Sequence, residues 1–219
     1  MCRLLLPPLV RRQLAAYHVL QCSAWRSLYD AVASGEVSVS SKTFRRLYQC
    51  LMEVTIGLPD GRDAAAYVDG LLRHTVQELR SMSGVDTPLD GPHLSLQQAS
   101  ANQRAAYLLE GLRGACRGTA GVPPEAREAA FVAISSAAPA LPVLFEACRQ
   151  DPSVVELVLK LVGDVVEHHL AYLQVRGVVA SMRRACLFLL TAGGSTAIYS
   201  ACSSYRRTAP RQFAGGRWT

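Results

Sequence analysis

Every strongly patterned stretch of this chain repeats its apolar residues at steps of three and four, and no pair of stretches carries a hairpin signal. Between Asp60 and Gly84 the apolar positions are Ala64, Tyr67, Val68, Leu71, Leu72, Val76, Leu79 and Met82. Arg62, Asp63, Asp69, Arg73, Glu78 and Arg80 fall mostly off that stripe. The spacing predicts an amphipathic helix, capped by Asp60 and ended by Gly84.

The same period recurs along the chain. Phe44, Leu47, Tyr48, Leu51 and Thr55 predict a shorter helix, with Ser41 as N-cap and Gly57-Leu58-Pro59 as the stop. Leu14, Tyr17, Trp25, Leu28 and Val32 predict one helix from about Leu9 to Gly35. Residues 83–95 read as a loop. From Ser95 a helix carries Ala105, Leu108, Leu109, Leu112, Ala115 and Cys116 and stops between Gly118 and Pro124. Residues 125–150 are helical but interrupted, because Pro139 and Pro142 each remove a donor and crowd the preceding turn.

Asp151-Pro152 is an N-cap followed by proline at the first helical position. Val154, Val158, Leu161, Val165, His169 and Tyr172 then form one stripe, widened by Leu157, Val162 and Val166. The many β-branched residues would suit a buried strand, but the run is too long for one and its charges recur at helical intervals. A last helix is expected from about Val178 to Thr191, ended by Gly193-Gly194. Helix pairs at 44–56 with 60–83, and at 125–150 with 152–175, each span about forty to fifty residues. That is the period of two-helix repeats that stack into solenoids. Periodicity leaves a solenoid and a bundle equally open.

Composition narrows the function classes. Half of the 219 residues are hydrophobic, which excludes a chain too polar to bury a core. Ala185 to Tyr205 is uncharged, but its two glycines and its run of Ser and Thr read as soluble rather than membrane-spanning. Leu4-Leu5-Leu6 is cut short by Pro7-Pro8 and Arg11-Arg12, so no secretory signal is expected. Seven cysteines (2, 22, 50, 116, 148, 186 and 202) form an odd, widely spaced set with no C-x-x-C pair, as in a reduced cytosolic or nuclear protein. The net charge of +6 belongs to the C-terminal part. All 17 acidic residues lie at or before Glu167, whereas seven arginines follow it, so residues 1–175 hold 16 basic against 17 acidic groups. That distribution does not make a basic face on folded elements, and no nucleic-acid partner is expected.

Few motifs invite chemistry. His168-His169 with Asp164 and Glu167 is the one metal-like cluster, with Asp164 and His168 four apart on a helix. Zinc needs three or four convergent ligands, and no H-E-x-x-H or Cys/His pair supplies them, so a histidine packed in the core stripe accounts for it better. Gly111, Gly114 and Gly118 lie within or at the end of a helix, with no preceding strand to build a phosphate loop. Close helix packing is the expected reason for them. No G-x-S-x-G elbow occurs. No catalytic, metal or cofactor residues are expected, and the chain reads as a non-enzyme.

Residues 108–119 (LLEGLRGACRGT), 151–173 (DPSVVELVLKLVGDVVEHHLAYL) and 182–190 (MRRACLFLL) carry a resemblance. Leu108 to Gly194 resembles the nuclear export receptors of the importin-β superfamily (karyopherins), and within them the exportin 4 branch, with exportin 7 as a close relative. Residues 44–82 fit that family's helix pairs loosely. The resemblance implies an all-α, HEAT/ARM-type right-handed superhelix of three to four helix pairs over residues 1–194. Residues 195–219, with four arginines and no acid, have no counterpart in that family and read as a basic tail of low order. The resemblance also implies a transport receptor that binds a cargo protein with Ran-GTP, contacts Phe-Gly nucleoporins, shuttles between nucleus and cytoplasm, and needs neither membrane nor cofactor.

In such receptors the second helix of each pair lines the concave surface. By position this offers Glu156, Lys160, Asp164 and Glu167 as candidate protein contacts, beside the plainer expectation of a solvated helix face. The family's members are several times longer and carry N-terminal repeats assigned to Ran binding. The expectation is therefore a fragment, a truncated gene model or a short relative. A helical-repeat scaffold unrelated to transport is the alternative function.

Overall fold

A computed structural model describes residues 8–33, 36–85 and 98–175, and every regular element among them is a helix. α1 (Pro8–Gln21) and α2 (Ser23–Ala33) precede α3 (Ser41–Glu53), which runs into a 3-10 turn at Val54–Gly57. α4 (Gly61–Met82), α5 (Gln98–Gly118), α6 (Pro124–Ser136), α7 (Ala140–Ala147) and α8 (Pro152–Val175) follow. The expected helix at 178–191, the tail at 195–219 and residues 86–97 of the loop lie outside the described residues.

Local chemistry sets the boundaries. Ser40, one residue before the expected cap, closes α3 by accepting from the Thr43 amide at 3.1 Å. Asp60 accepts from the Arg62 amide at 2.9 Å and opens α4. α4 ends where Gly84 takes φ 68°, so that the Gly84 and Val85 amides return to the carbonyls of Ser81 and Arg80. This closing pattern needs a left-handed residue and glycine supplies it at no steric cost. Asp151 accepts from the Ser153 amide at 3.1 Å, with Pro152 in the first turn of α8.

The helix expected over residues 9–35 is two. The chain leaves helical geometry at Cys22, and the break lets the Tyr29 hydroxyl of α2 donate to the Leu71 carbonyl of α4 at 3.2 Å. α6 and α7 are bent by 49° across the segment that holds Pro139.

The helices stack by alternation. α3 packs along α5 and α5 along α8, while α4 packs along α6. Two layers result, one of α3, α5 and α8 and one of α4 and α6 with its bent continuation α7. This is an all-α fold of helical-repeat type. A bundle would gather its helices around one shared axis, whereas here α3 meets α5, α4 meets α6, and α5 meets α8 across the bent α6–α7 element.

The core holds Phe44, Tyr48, Leu51, Met52, Leu72, Leu79, Leu109, Leu112, Phe131, Ile134 and Leu141, all essentially inaccessible to solvent. Each such side chain contributes about 1.5–3 kcal/mol on burial. The Tyr48 hydroxyl shares a 2.6 Å hydrogen bond with the Thr75 hydroxyl and joins the layers through the core.

The expected pairing of residues 125–150 with 152–175 appears as contacts of α6 and of α7 with α8, and α8 also packs along α5 in the layer of α3.

Candidate protein-binding face

The layer of α3, α5 and α8 presents one continuous face, and three glycines set how closely it is built. A Cβ on Gly114 would stand 2.1 Å from the Arg45 carbonyl oxygen. One on Gly118 would stand 2.6 Å from the Met52 Cβ, and one on Gly111 would stand 2.8 Å from the Phe44 ring. At i, i+3 and i+7 these glycines form a groove on α5 into which the α3 backbone settles. Close packing is what the G-L-R-G-A-C-R-G run does.

Across this face runs a ladder of buried charge. Arg45 of α3 reaches the Glu110 carboxylate of α5 at 3.2 Å. Arg113, one turn on, donates to Glu110 at 3.0 Å and to Asp164 of α8 at 2.8 Å. Arg117 donates to the other Asp164 oxygen at 3.0 Å. Glu110, Arg113 and Asp164 are all buried. In low dielectric such pairs attract strongly but cost comparable desolvation, so their main product is a fixed register among the three helices. A second pair ties the layers. Arg104 of α5 grips Glu78 of α4 through two hydrogen bonds of 2.6 and 2.7 Å, with its guanidinium 5.6 Å from the Tyr107 ring centroid.

The structure divides the four candidate contacts. Glu156, Lys160 and Glu167 are exposed on the outer side of α8, with Glu156 and Lys160 paired at 2.6 Å across one helical turn. Asp164 is not on that surface. It is 3% exposed and both its oxygens are held by arginines of α5, so it joins helices instead of offering a contact. The sequence did hold a signal for this, since Arg113 and Arg117, four apart on α5, match one buried acid on a neighbouring helix.

Asp164, Glu167 and His168 bring three potential ligand atoms within 4.8 Å of one another. A cation there would have to displace Arg113 and Arg117 from Asp164, and the arginine pairing explains why the acid is buried. His169 turns the other way. It is 1% exposed, packs at a tilt against Phe131 and Tyr172, and makes no hydrogen bond at either ring nitrogen. Burial, with the neighbouring charges of His168 and Arg127, lowers its pKa from 6.5 to about 4, so the imidazole is neutral. The α8 backbone departs from helical geometry at this residue, with φ −126° and ψ 19°.

Between α2 and α4, with Leu51 and Leu58 also lining it, lies a cavity of about 410 Å³ walled by Leu20, Trp25, Tyr29, Tyr67 and Leu71. The exposed thiol of Cys22 stands at its edge. Cys116 and Cys148 are buried, and burial raises both thiols above their ordinary pKa, which suits packing more than reactivity. Among the described residues no single helix is long and apolar enough to cross a membrane.

No protein-family model, curated protein or solved structure matches this chain.

Proposed function

We propose that this chain acts as part of an exportin-like nuclear transport receptor, binding a cargo protein together with Ran-GTP and passing between nucleus and cytoplasm through Phe-Gly contacts. The observation that carries the reading is spatial. The two longest stretches of export-receptor resemblance, residues 108–119 and 151–173, are neighbours in the fold, stacked side by side as α5 and α8 and joined through Arg113, Arg117 and Asp164. A stacked two-layer helical fold also suits a protein whose work is to present an extended surface.

The reading is tested by capture of the full-length gene product on immobilised Ran locked with GTP, with the GDP form as control. GTP-dependent capture and accumulation in both compartments support it. A stable cytoplasmic complex that ignores the nucleotide state of Ran would replace it with the scaffold reading.

A further inference from the structure

Trp25, Arg26, Tyr29 and Asp30 share one face of α2, and Tyr67, Gly70 and Leu71 share one face of α4. Together they line the cavity of about 410 Å³. An apolar hole of about 150 Å³ takes one benzene, so this one has room for about two or three fused rings. Trp25, Tyr29 and Tyr67 give it aromatic walls, which suit stacking on a flat ring. Gly70 keeps it open. It lies inside the 22-residue α4, where glycine weakens a helix, and a Cβ there would meet nothing within 4 Å. Close packing, which accounts for Gly111, Gly114 and Gly118, does not account for Gly70.

The polar groups of the rim have a direction. The Tyr29 hydroxyl is already engaged, donating to the Leu71 carbonyl. Burial raises the Tyr29 pKa and the Asp30 charge adds to it, so the acid lies toward that end. The Tyr67 hydroxyl makes no hydrogen bond among the described residues. Burial raises its pKa to about 12, against the lowering charge of the nearby Arg26, so it is a neutral donor. Arg26 is exposed and pairs with no carboxylate among the described residues. We propose that this cavity binds an aromatic carboxylic acid, with its rings against Trp25, Tyr29 and Tyr67 and its carboxylate at Arg26 and the Tyr67 hydroxyl. A guanidinium and a hydroxyl donor beside an aromatic-walled space supply what such an acid needs. The site does not depend on the transport reading.

Titration of the isotope-labelled full chain with 2-naphthoate tests it, with Trp218→Phe leaving Trp25 as the only tryptophan. The Trp25 indole N–H resonance should shift and saturate at one equivalent bound, with a Kd of about 0.1–1 mM. Gly70→Leu fills the space from an open helix face, so it should weaken binding about tenfold or more while holding or raising the melting temperature. Arg26→Gln should weaken 2-naphthoate about tenfold and leave the neutral 2-acetylnaphthalene unchanged. A Trp25 resonance that does not move, or a shift that survives Gly70→Leu, would overturn the site. Binding of 2-naphthoate no tighter than that of 2-ethylnaphthalene would overturn the assignment to an acid. A dimer that Gly70→Leu dissociates would put a second copy in the space and overturn the proposal as well.

Discussion

Arg113 of α5 and Asp164 of α8 meet at 2.8 Å with both side chains buried, at the centre of a ladder that runs from Arg45 to Arg117. Removing one partner strands the other. Arg113→Met or Asp164→Leu alone should cost about 3–5 kcal/mol, whereas the two together should recover most of it. Urea denaturation of the four chains of this cycle measures the difference. A single variant as stable as its parent would contradict the buried pairing.

Two glycines in adjacent helices predict opposite outcomes. Gly114→Ala forces a Cβ against the Arg45 carbonyl oxygen, where backbone cannot yield, and should lose about 1–3 kcal/mol or more. Gly70→Ala meets nothing within 4 Å and should gain about 0.5–1 kcal/mol from helix propensity. Thermal melts read both directly. Equal effects would mean that α3 and α5 do not approach as described.

His169 predicts an acid weakness. Its folded-state pKa of about 4 lies below the ordinary 6.5, so the unfolded chain takes up the proton first as pH falls. The stabilisation is complete above pH 6.5 and is lost between there and about 4, by up to about 1.4 kcal/mol for each pH unit. His169→Met should flatten that part of the stability–pH curve. An unchanged slope would place the ring in water.

Asp151 keeps its charge to lower pH than an ordinary aspartate. The Ser153 hydroxyl, at 2.6 Å, is the largest cause of a carboxyl held below its usual pKa, with Asn102 of α5 adding to it. Because the folded pKa is the lower one, the cap's contribution is present above about pH 3.8 and fades as pH falls through the folded value. Asp151→Ala should therefore cost about 1 kcal/mol near neutrality and less in strong acid. Urea midpoints at the two pH values test this.

The exposed side of α8 links stability to function. Glu156→Lys, Lys160→Glu and Glu167→Lys together should shift stability by less than about 1 kcal/mol, since exposed pairs contribute little. The same triple variant should weaken Ran-GTP or cargo capture by the full-length product if this face is a contact surface. Undiminished capture would return the three residues to a solvated face.

Much of the fold was legible as helix type and extent. The stripe of α4, the Asp60 and Asp151 caps and the Gly84 stop are local events, fixed by residues within one or two turns of one another. The break at Cys22 was not legible, because α2 departs from α1 to reach Leu71, forty-two residues after Tyr29. Nor was the burial of Asp164. In the sequence it shares the spacing of Glu156, Lys160 and Glu167, and only the arrival of Arg113 and Arg117 from another helix separates it from them.

The amino-acid order alone determined that this chain makes amphipathic rods, where several of them start and stop, and that the glycine run on α5 serves close packing, because period, caps and side-chain size act over short distances. Which rod lies on which was decided in three dimensions. α8 lies along α5 where Arg113 and Arg117 meet the buried Asp164, and such a pairing arises only when surfaces distant in sequence meet.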